Sequence, residues 1–479
     1  MNRPVRWYDY ITVNIYFLGL TTLSQTNGLI IPLLVALFVG DEQKGAYFGT
    51  YRLWTLMAAL LMQALWGMLS DRCKLRWGRR RPFIVVSTLV DLVFIVGIGL
   101  LFGQSGMSGF YLLMVLGILL QASSNAAQAA AQALIPDLVP ESKRGRFSAV
   151  KAIFEIPLPA ILVAFTASKL VSVGNIWGGL GVAMAMLVVT MLLTLFVPEQ
   201  PLEETPPPLD WKPFFRLVLM TALFSAIILG LGAVIRLVGG LAETGGSSSA
   251  ILWIMGLLGA LGMMAAVGLG TWFGVRTSLG DEGLKHRSFT WWVINRLAFL
   301  VGVVNLSTFA VFYFQSRLGF AGETATKPAG SLIQIVGVVI FIAALPSGWL
   351  ADRFGYKRIL AAAGVLAALG TGVMLLTQDM TVIYLGGGIV GLAAGLFYPA
   401  NWALGTELAP RDKAARYLGI SNLAGAGAGA VGAYIGGPIA DFFTRNAPQD
   451  PGLGYALLFG IYALLFLFSV AALTQIKKQ

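Results

Sequence analysis

Charge is scarce in this chain: Asp, Glu, Lys and Arg together make up 11% of 479 residues, and there is one cysteine, Cys73, and one histidine, His286. An average soluble domain is about 25% charged, so the chain is not read as a water-soluble globule. A lone cysteine cannot close an internal disulfide. A lone histidine with no cysteine beside it excludes the usual zinc clusters, and no metal or cofactor is expected. No glycine-rich phosphate loop ending in lysine occurs and no nucleophile–base pair can be placed, which argues against an ATP-driven pump and against an enzyme. The apolar residues take the space the charges leave, 57% of the sequence, with mean hydropathy +0.78.

The apolar residues fall in long runs near 11–38, 46–69, 83–103, 110–135, 148–172 and 177–197. Each reaches about 20 residues or more, the length a helix needs to cross about 30 Å of hydrocarbon. None shows barrel alternation, so helices are expected throughout. The first run is too long for a cleavable signal and reads as a retained span. A proline-rich acidic linker follows at 198–215, then two glycine-rich runs at 216–238 and 250–274, which with the loop after them make an inserted pair (216–288). Six more runs lie near 289–315, 330–350, 359–377, 382–406, 417–440 and 454–474. The expected fold is all-α with fourteen spans: an N-terminal six-helix bundle (1–197), the linker, the inserted pair and a C-terminal six-helix bundle (289–479).

The formal net charge is +11, yet the basic residues sit in short loops between spans. They therefore set topology, with both termini cytoplasmic, and nucleic acid is excluded as a partner. A bacterial-type cell membrane, a monomer and a small-molecule solute are expected.

Two stretches recur. "GMLSDRCKLRWGRRRPF" (67–83) matches "GWLADRFGYKRIL" (348–360) once Cys73 to Arg76 are removed, and "PDLVPESKRGRF" (136–147) matches "TELAPRDKAARY" (406–417). Two halves repeated in this way are the parallel repeats of a transporter. The paired loops resemble the Major Facilitator Superfamily signature, and "RWGRRRPFI" with "PDLVPESKRGRF" is similar to the sucrose transporter and glycoside–pentoside–hexuronide symporter branch. The inserted pair instead resembles fourteen-span drug antiporters, although span 5 lacks their glycine-rich signature and "GGPIAD" (436–441) lies in the other half. By the resemblance, Asp71, Arg72, Asp137, Asp352, Arg353 and Glu407 form a cytoplasmic gate.

Span 4 places Gln121, Asn125, Gln128 and Gln132 on one helical face. Comparable polar faces carry Asn14, Thr21 and Gln25 in span 1, Asn305, Thr308 and Phe312 in the first span of the second half, and Tyr398, Asn401 and Trp402 in its fourth. These are the spans the family uses for its central cavity. Amides and hydroxyls mixed with rings suit a neutral polyol; packing between helices is the competing role. Two features stand against particular sugar symporters: Gln132 replaces the arginine of plant-type sucrose transporters, and span 2 lacks the acids of sodium-coupled melibiose-type carriers.

Arg52, Asp91, Glu155 and Arg296 lie inside spans, where a charge costs ~2.5–3.5 kcal/mol unless paired or wet. At ~1.5 Å per residue the last three share a depth, which makes all four candidates for proton coupling. The expected activity is proton-coupled symport of a sugar or glycoside by alternating access. Efflux of amphipathic compounds and a non-transporting assembly or pigment-handling role remain open.

Overall fold

A computed structural model describes residues 5–199, 211–244, 249–280, 286–409, 414–447 and 449–477. Every apolar run forms a helix. In the first half these are α1 (Tyr16–Val39), α2 (Lys44–Ser70), α3 (Arg81–Leu100), α4 (Gly106–Leu138), α5 in three consecutive pieces (Glu141–Glu155, Pro157–Phe165, Ala167–Ser172) and α6 (Ile176–Thr194). The inserted pair is α7 (Lys212–Thr244) and α8 (Ser249–Leu279). The second half holds α9 (Arg287–Thr308, continued as Ala310–Leu318), α10 (Thr326–Phe354), α11 (Tyr356–Leu375), α12 (Met380–Leu408), α13 (Ala414–Asn446) and α14 (Leu453–Thr474). Among the described residues 13 helices are long and apolar enough to cross a membrane; α13, partly outside that description, is 33 residues long. The protein is an all-helical integral membrane protein.

Local chemistry sets the helix ends. The Asp379 carboxylate accepts from the N–H groups of Thr381 and Val382 and caps α12, and those bonds hold its pKa below the usual carboxylate value. In α5, Pro157 supplies no N–H and disfavours helical geometry before it, so the first piece ends at Glu155.

The helices group into two compact units, 1–38 with 58–214 and 326–334, and 39–57 with 215–325 and 335–479. These boundaries differ from a simple division into halves. The first part of α2 belongs to the second unit and the start of α10 to the first. Most of the expected linker, 200–210, lies outside the described residues. The inserted helices pack within the second unit: a Cβ at Gly259 of α8 would lie 2.3 Å from Ile439, and one at Gly427 of α13 would lie 2.7 Å from Phe224 of α7.

Within the second unit, α2 and α13 meet backbone to backbone. A Cβ at Gly437 would fall 1.9 Å from the Gly45 carbonyl oxygen, and one at Gly49 would fall 2.3 Å from that of Ala433, so only glycine fits. The contact brings the carboxylate of Asp441, 1% exposed, to the free N-terminus of α2, where it accepts from Gly45 N–H (2.9 Å) and Ala46 N–H (2.7 Å). It satisfies two donors that water cannot reach. Removing it in Asp441→Ala leaves both stranded, an expected cost of about 2 kcal/mol, whereas Asp441→Asn keeps one acceptor and loses less. Thermal unfolding in detergent checks this, and midpoints equal to wild type for both variants refute it.

Candidate functional site

In the first unit the polar face of α4 is ordered. Asn125 Nδ2 donates to the Gln121 carbonyl (2.8 Å) and Oε1 (3.2 Å), and Gln132 Oε1 accepts from Gln63 Nε2 of α2 (3.2 Å). Gln128 is half-buried between them. On α1, Gln25 Oε1 and Asn27 Oδ1 are buried acceptors with no hydrogen bond. Asn27 was not singled out by periodicity, and Gln63 sits in a run whose sequence looks merely apolar. Asn14 has a structural role: its Nδ2 ties the carbonyl of Tyr10 to that of Phe147 in α5 (3.0 and 3.2 Å). Thr21 is half-buried.

Asp91 of α3 is buried, with Oδ2 accepting from Ser124 Oγ at 2.8 Å and Oδ1 buried without a partner. One turn away, Tyr16 and Thr88 share a 2.8 Å hydrogen bond between α1 and α3. Glu155 differs: its half-exposed carboxylate pairs with Lys151 at 3.1 Å in its own helix, and the Lys151 ammonium lies 4.5 Å from the Phe17 ring centroid.

In the second unit a chain of side chains crosses three helices. Arg296 Nη1 donates to Asn401 Oδ1 (2.9 Å), Asn401 Nδ2 to Asn295 Oδ1 (2.9 Å), and Asn295 Nδ2 to Ser469 Oγ (2.7 Å). Trp292 Nε1 donates to the Asn401 carbonyl, in a space opened by Gly405, whose Cβ would lie 2.2 Å from that ring. Both ends of the Asn401 amide are thus occupied, so it positions Arg296. The Arg296 guanidinium stands 5.6 Å from the Trp402 ring centroid, with Nε buried and unpartnered. Tyr398, half-buried, and Trp402, 44% exposed, lie on the same stretch of α12. Arg52 also has a buried, unpartnered Nε, and neither arginine forms an ion pair among the described residues.

Three further candidates make contacts within the unit, although Asn305 Oδ1 is buried without a partner among the described residues. Asn305 donates to the carbonyls of Val301 and of Ala428 in α13. Thr308 bonds the carbonyl of Val304. Phe312 is fully buried among Phe48, Phe309 and Tyr455, beneath the Lys44 ammonium at 5.0 Å.

The two signature loops differ. In the first copy the hub is Arg80, 3% exposed, which pairs with both Asp71 and Asp137. Arg79 also pairs with Asp137, at 2.5 Å. Burial alone would lower the Arg80 pKa, but the bonds and charges of Asp137 and Asp71 outweigh it and hold it above the ordinary arginine value. Glu199 accepts from the N–H groups of Arg79, Arg80 and Arg81 at 3.0, 2.7 and 3.1 Å, fixing the loop and capping α3. Arg79 and Arg80, which the sequence pattern did not single out for the gate, take part in this pairing.

In the second copy Lys357 stands where Arg80 stands in the first, and its ammonium donates to the Ile476 carbonyl. Among the described residues Asp352 accepts from the Tyr356 hydroxyl, at 3.0 Å. Arg353 lies 5.4 Å from the Trp349 ring centroid. Asp352, Arg353, Arg358 and Glu407 line a cavity of about 830 Å³, and no ion pair joins them among the described residues.

The Major Facilitator Superfamily model matches residues 15–322 and 291–477. This chain belongs to that superfamily. Solved structures sharing the fold include the nucleoside transporter NupG (TM-score 0.60, 13% identity, 98% of this chain and 100% of that one). Another is the peptide transporter POT in complex with sulfate (TM-score 0.65, 15% identity, 98% and 95%). Among curated relatives, the minor myo-inositol transporter IolF of Bacillus subtilis (strain 168) is 34% identical over 90 residues, 19% of this chain and 20% of that one. Myo-inositol transporter 2 of Schizosaccharomyces pombe is 26% identical over 189 residues, 38% and 32%, and the di-/tripeptide transporter of Lactobacillus helveticus is 32% identical over 88, 18% of each. The alignment thus spans a third or less of these relatives' lengths. Each of these proteins is named as a transporter.

Lysine cannot reproduce the planar fork of arginine. Arg80→Lys is therefore expected to lose about 2 kcal/mol of stability by leaving one carboxylate of the first loop unmatched, while Lys357→Arg in the second copy changes little. Paired unfolding curves test this, and equal effects at the two positions overturn it.

Proposed function

We propose that the protein is a secondary active transporter that moves a small polyhydroxylated solute, a sugar or polyol, together with protons, exposing its site to one face of the membrane and then the other. The observation that carries this reading is the unmet hydrogen-bonding capacity of the first unit. Gln25 Oε1 and Asn27 Oδ1 are buried acceptors without protein donors, on a helix of the same unit as the Gln121, Asn125 and Gln128 face. A buried polar atom left unpaired costs about 1–3 kcal/mol, and solute hydroxyls are the natural donors. The myo-inositol transporters among the relatives and the "RWGRRRPFI" likeness to sugar symporters support the solute class.

The proton is assigned to Asp91. It is the buried carboxylate of the first unit with a free oxygen, whereas Glu155 is neutralised by Lys151. Arg296 supports a second reading, a solute that also bears an acidic group. Its guanidinium pairs with no carboxylate among the described residues, and Trp402 beside it offers a ring face. Asp71, Asp137, Arg79 and Arg80 serve as the latch of the first signature loop, with Asp352, Arg353 and Glu407 as the corresponding charges of the second.

Uptake into proteoliposomes of labelled myo-inositol, hexoses and hexuronates, with an inward proton gradient imposed and then collapsed, tests both readings. Gradient-driven accumulation of a neutral member supports polyol symport, and acid-only uptake lost in Arg296→Gln supports the second. No uptake of any member by folded protein rejects both. Asp91→Asn is expected to lower gradient-driven uptake by tenfold or more (about 1.4 kcal/mol) and to flatten its pH profile; an unchanged profile removes the proton from Asp91.

A further inference from the structure

The first unit carries a groove that the proposed transport does not use. It has a volume of about 440 Å³ and lies between the end of α2, the loop 71–80, α3 and α4, lined by Trp66, Cys73, Leu75, Phe83, Val90 and Leu119 among others. Its only side-chain hydroxyls are those of Ser87 and Ser123, and the second already bonds the Ser87 carbonyl. Its edge is exposed hydrocarbon: Leu75, Val86 and Leu119 are 50%, 57% and 42% exposed. Such a rim on a spanning bundle faces lipid, so the groove fills from the bilayer.

The charges at its mouth have one sign. Every described carboxylate of the corner is already engaged: Asp71 and Asp137 by Arg79 and Arg80, and Glu199 by three backbone N–H groups. Lys74 and Arg76, which alternate with the lining residues Cys73 and Leu75, are exposed and have no ion-pair partner among the described residues. Two buried donors remain open as well, Trp66 Nε1, on a groove-lining ring, and Arg81 Nε. Hydrocarbon along the groove and unpaired cations on the loop beside it correspond to the two parts of one molecule. We propose that the groove binds an anionic phospholipid, its acyl chain against α3 and α4 and its phosphate at Lys74 and Arg76.

The test uses the full chain reconstituted with phosphatidylcholine, with or without phosphatidylglycerol, and native mass spectrometry to count retained lipid. Wild type is expected to retain one phosphatidylglycerol against excess phosphatidylcholine, and Lys74→Gln with Arg76→Gln to weaken that retention by about tenfold or more. Ala122→Phe, which fills the groove, should abolish it. Cys73, the sole cysteine, gives a second readout: maleimide labelling should slow with phosphatidylglycerol in wild type but not in the charge variant. Equal retention of the two lipids would make the groove an ordinary annular contact and overturn the proposal. So would phosphatidylglycerol retention that survives the charge variant, or displacement of the lipid by inorganic phosphate alone.

Discussion

A polar atom inside a bilayer core has no water to fall back on, and this single constraint sorts the polar residues of the spans. Where both ends of an amide are occupied by protein, the side chain is structure, as at Asn401, held between Arg296 and Asn295. At Gln25, Asn27, Asp91 and Arg296 a buried atom stays unmatched among the described residues. Helical periodicity cannot make this distinction, because an amide that joins two helices and one that faces a solute share the same spacing.

The two signature loops show how a duplicated motif acquires unequal roles. Both carry Asp-Arg at a helix end, just after α2 in the first copy and in the last turn of α10 in the second, yet the first copy alone has the run Arg79-Arg80-Arg81 and four extra residues before it. A buried guanidinium forks to two carboxylates at once, and Glu199, arriving from beyond α6, satisfies the backbone beneath it. The second copy offers Tyr356-Lys357-Arg358. Lysine is a point charge on a flexible stem, and here it turns to the Ile476 carbonyl, leaving Asp352 with the Tyr356 hydroxyl. The first loop is locked within its own unit; the second keeps its charges around an open cavity.

Much of the fold was legible from hydropathy alone, because about 20 apolar residues between polar breaks have one stable form in a membrane. The all-helical class and the inserted pair follow from that, whereas the break of α5 at Pro157, inside a run read as one span, does not. The division into units was not legible, since it depends on which glycines of α2 meet which glycines of α13, a fact about tertiary contact. The site was half legible. Gln121, Asn125 and Gln132 announce themselves by spacing in an alanine-rich helix, whereas Gln63 and Ser469 are isolated polar residues in apolar runs, and Asn27 and Asn295 sit beside Gln25 and Arg296, which drew the attention. Phe312 looked like a ring for a solute because sequence records aromaticity but not that Phe48, Phe309 and Tyr455 enclose it.

The "GGPIAD" stretch, set aside in the sequence because it lies in the half opposite to the antiporter signature it resembles, has a physical role of its own. Gly437 permits a close approach that no side chain would allow, and Asp441, one turn later on the same face of α13, reaches the N–H groups of Gly45 and Ala46. Each half of the arrangement requires the other. Without the glycines the carboxylate could not reach the helix end, and without the carboxylate the approach would bury two unsatisfied donors and a helix dipole. The same carboxylate would be costly to bury alone. The cap and the close packing are therefore a single interaction, and it keeps the first part of α2 with the second unit while the rest of that helix belongs to the first.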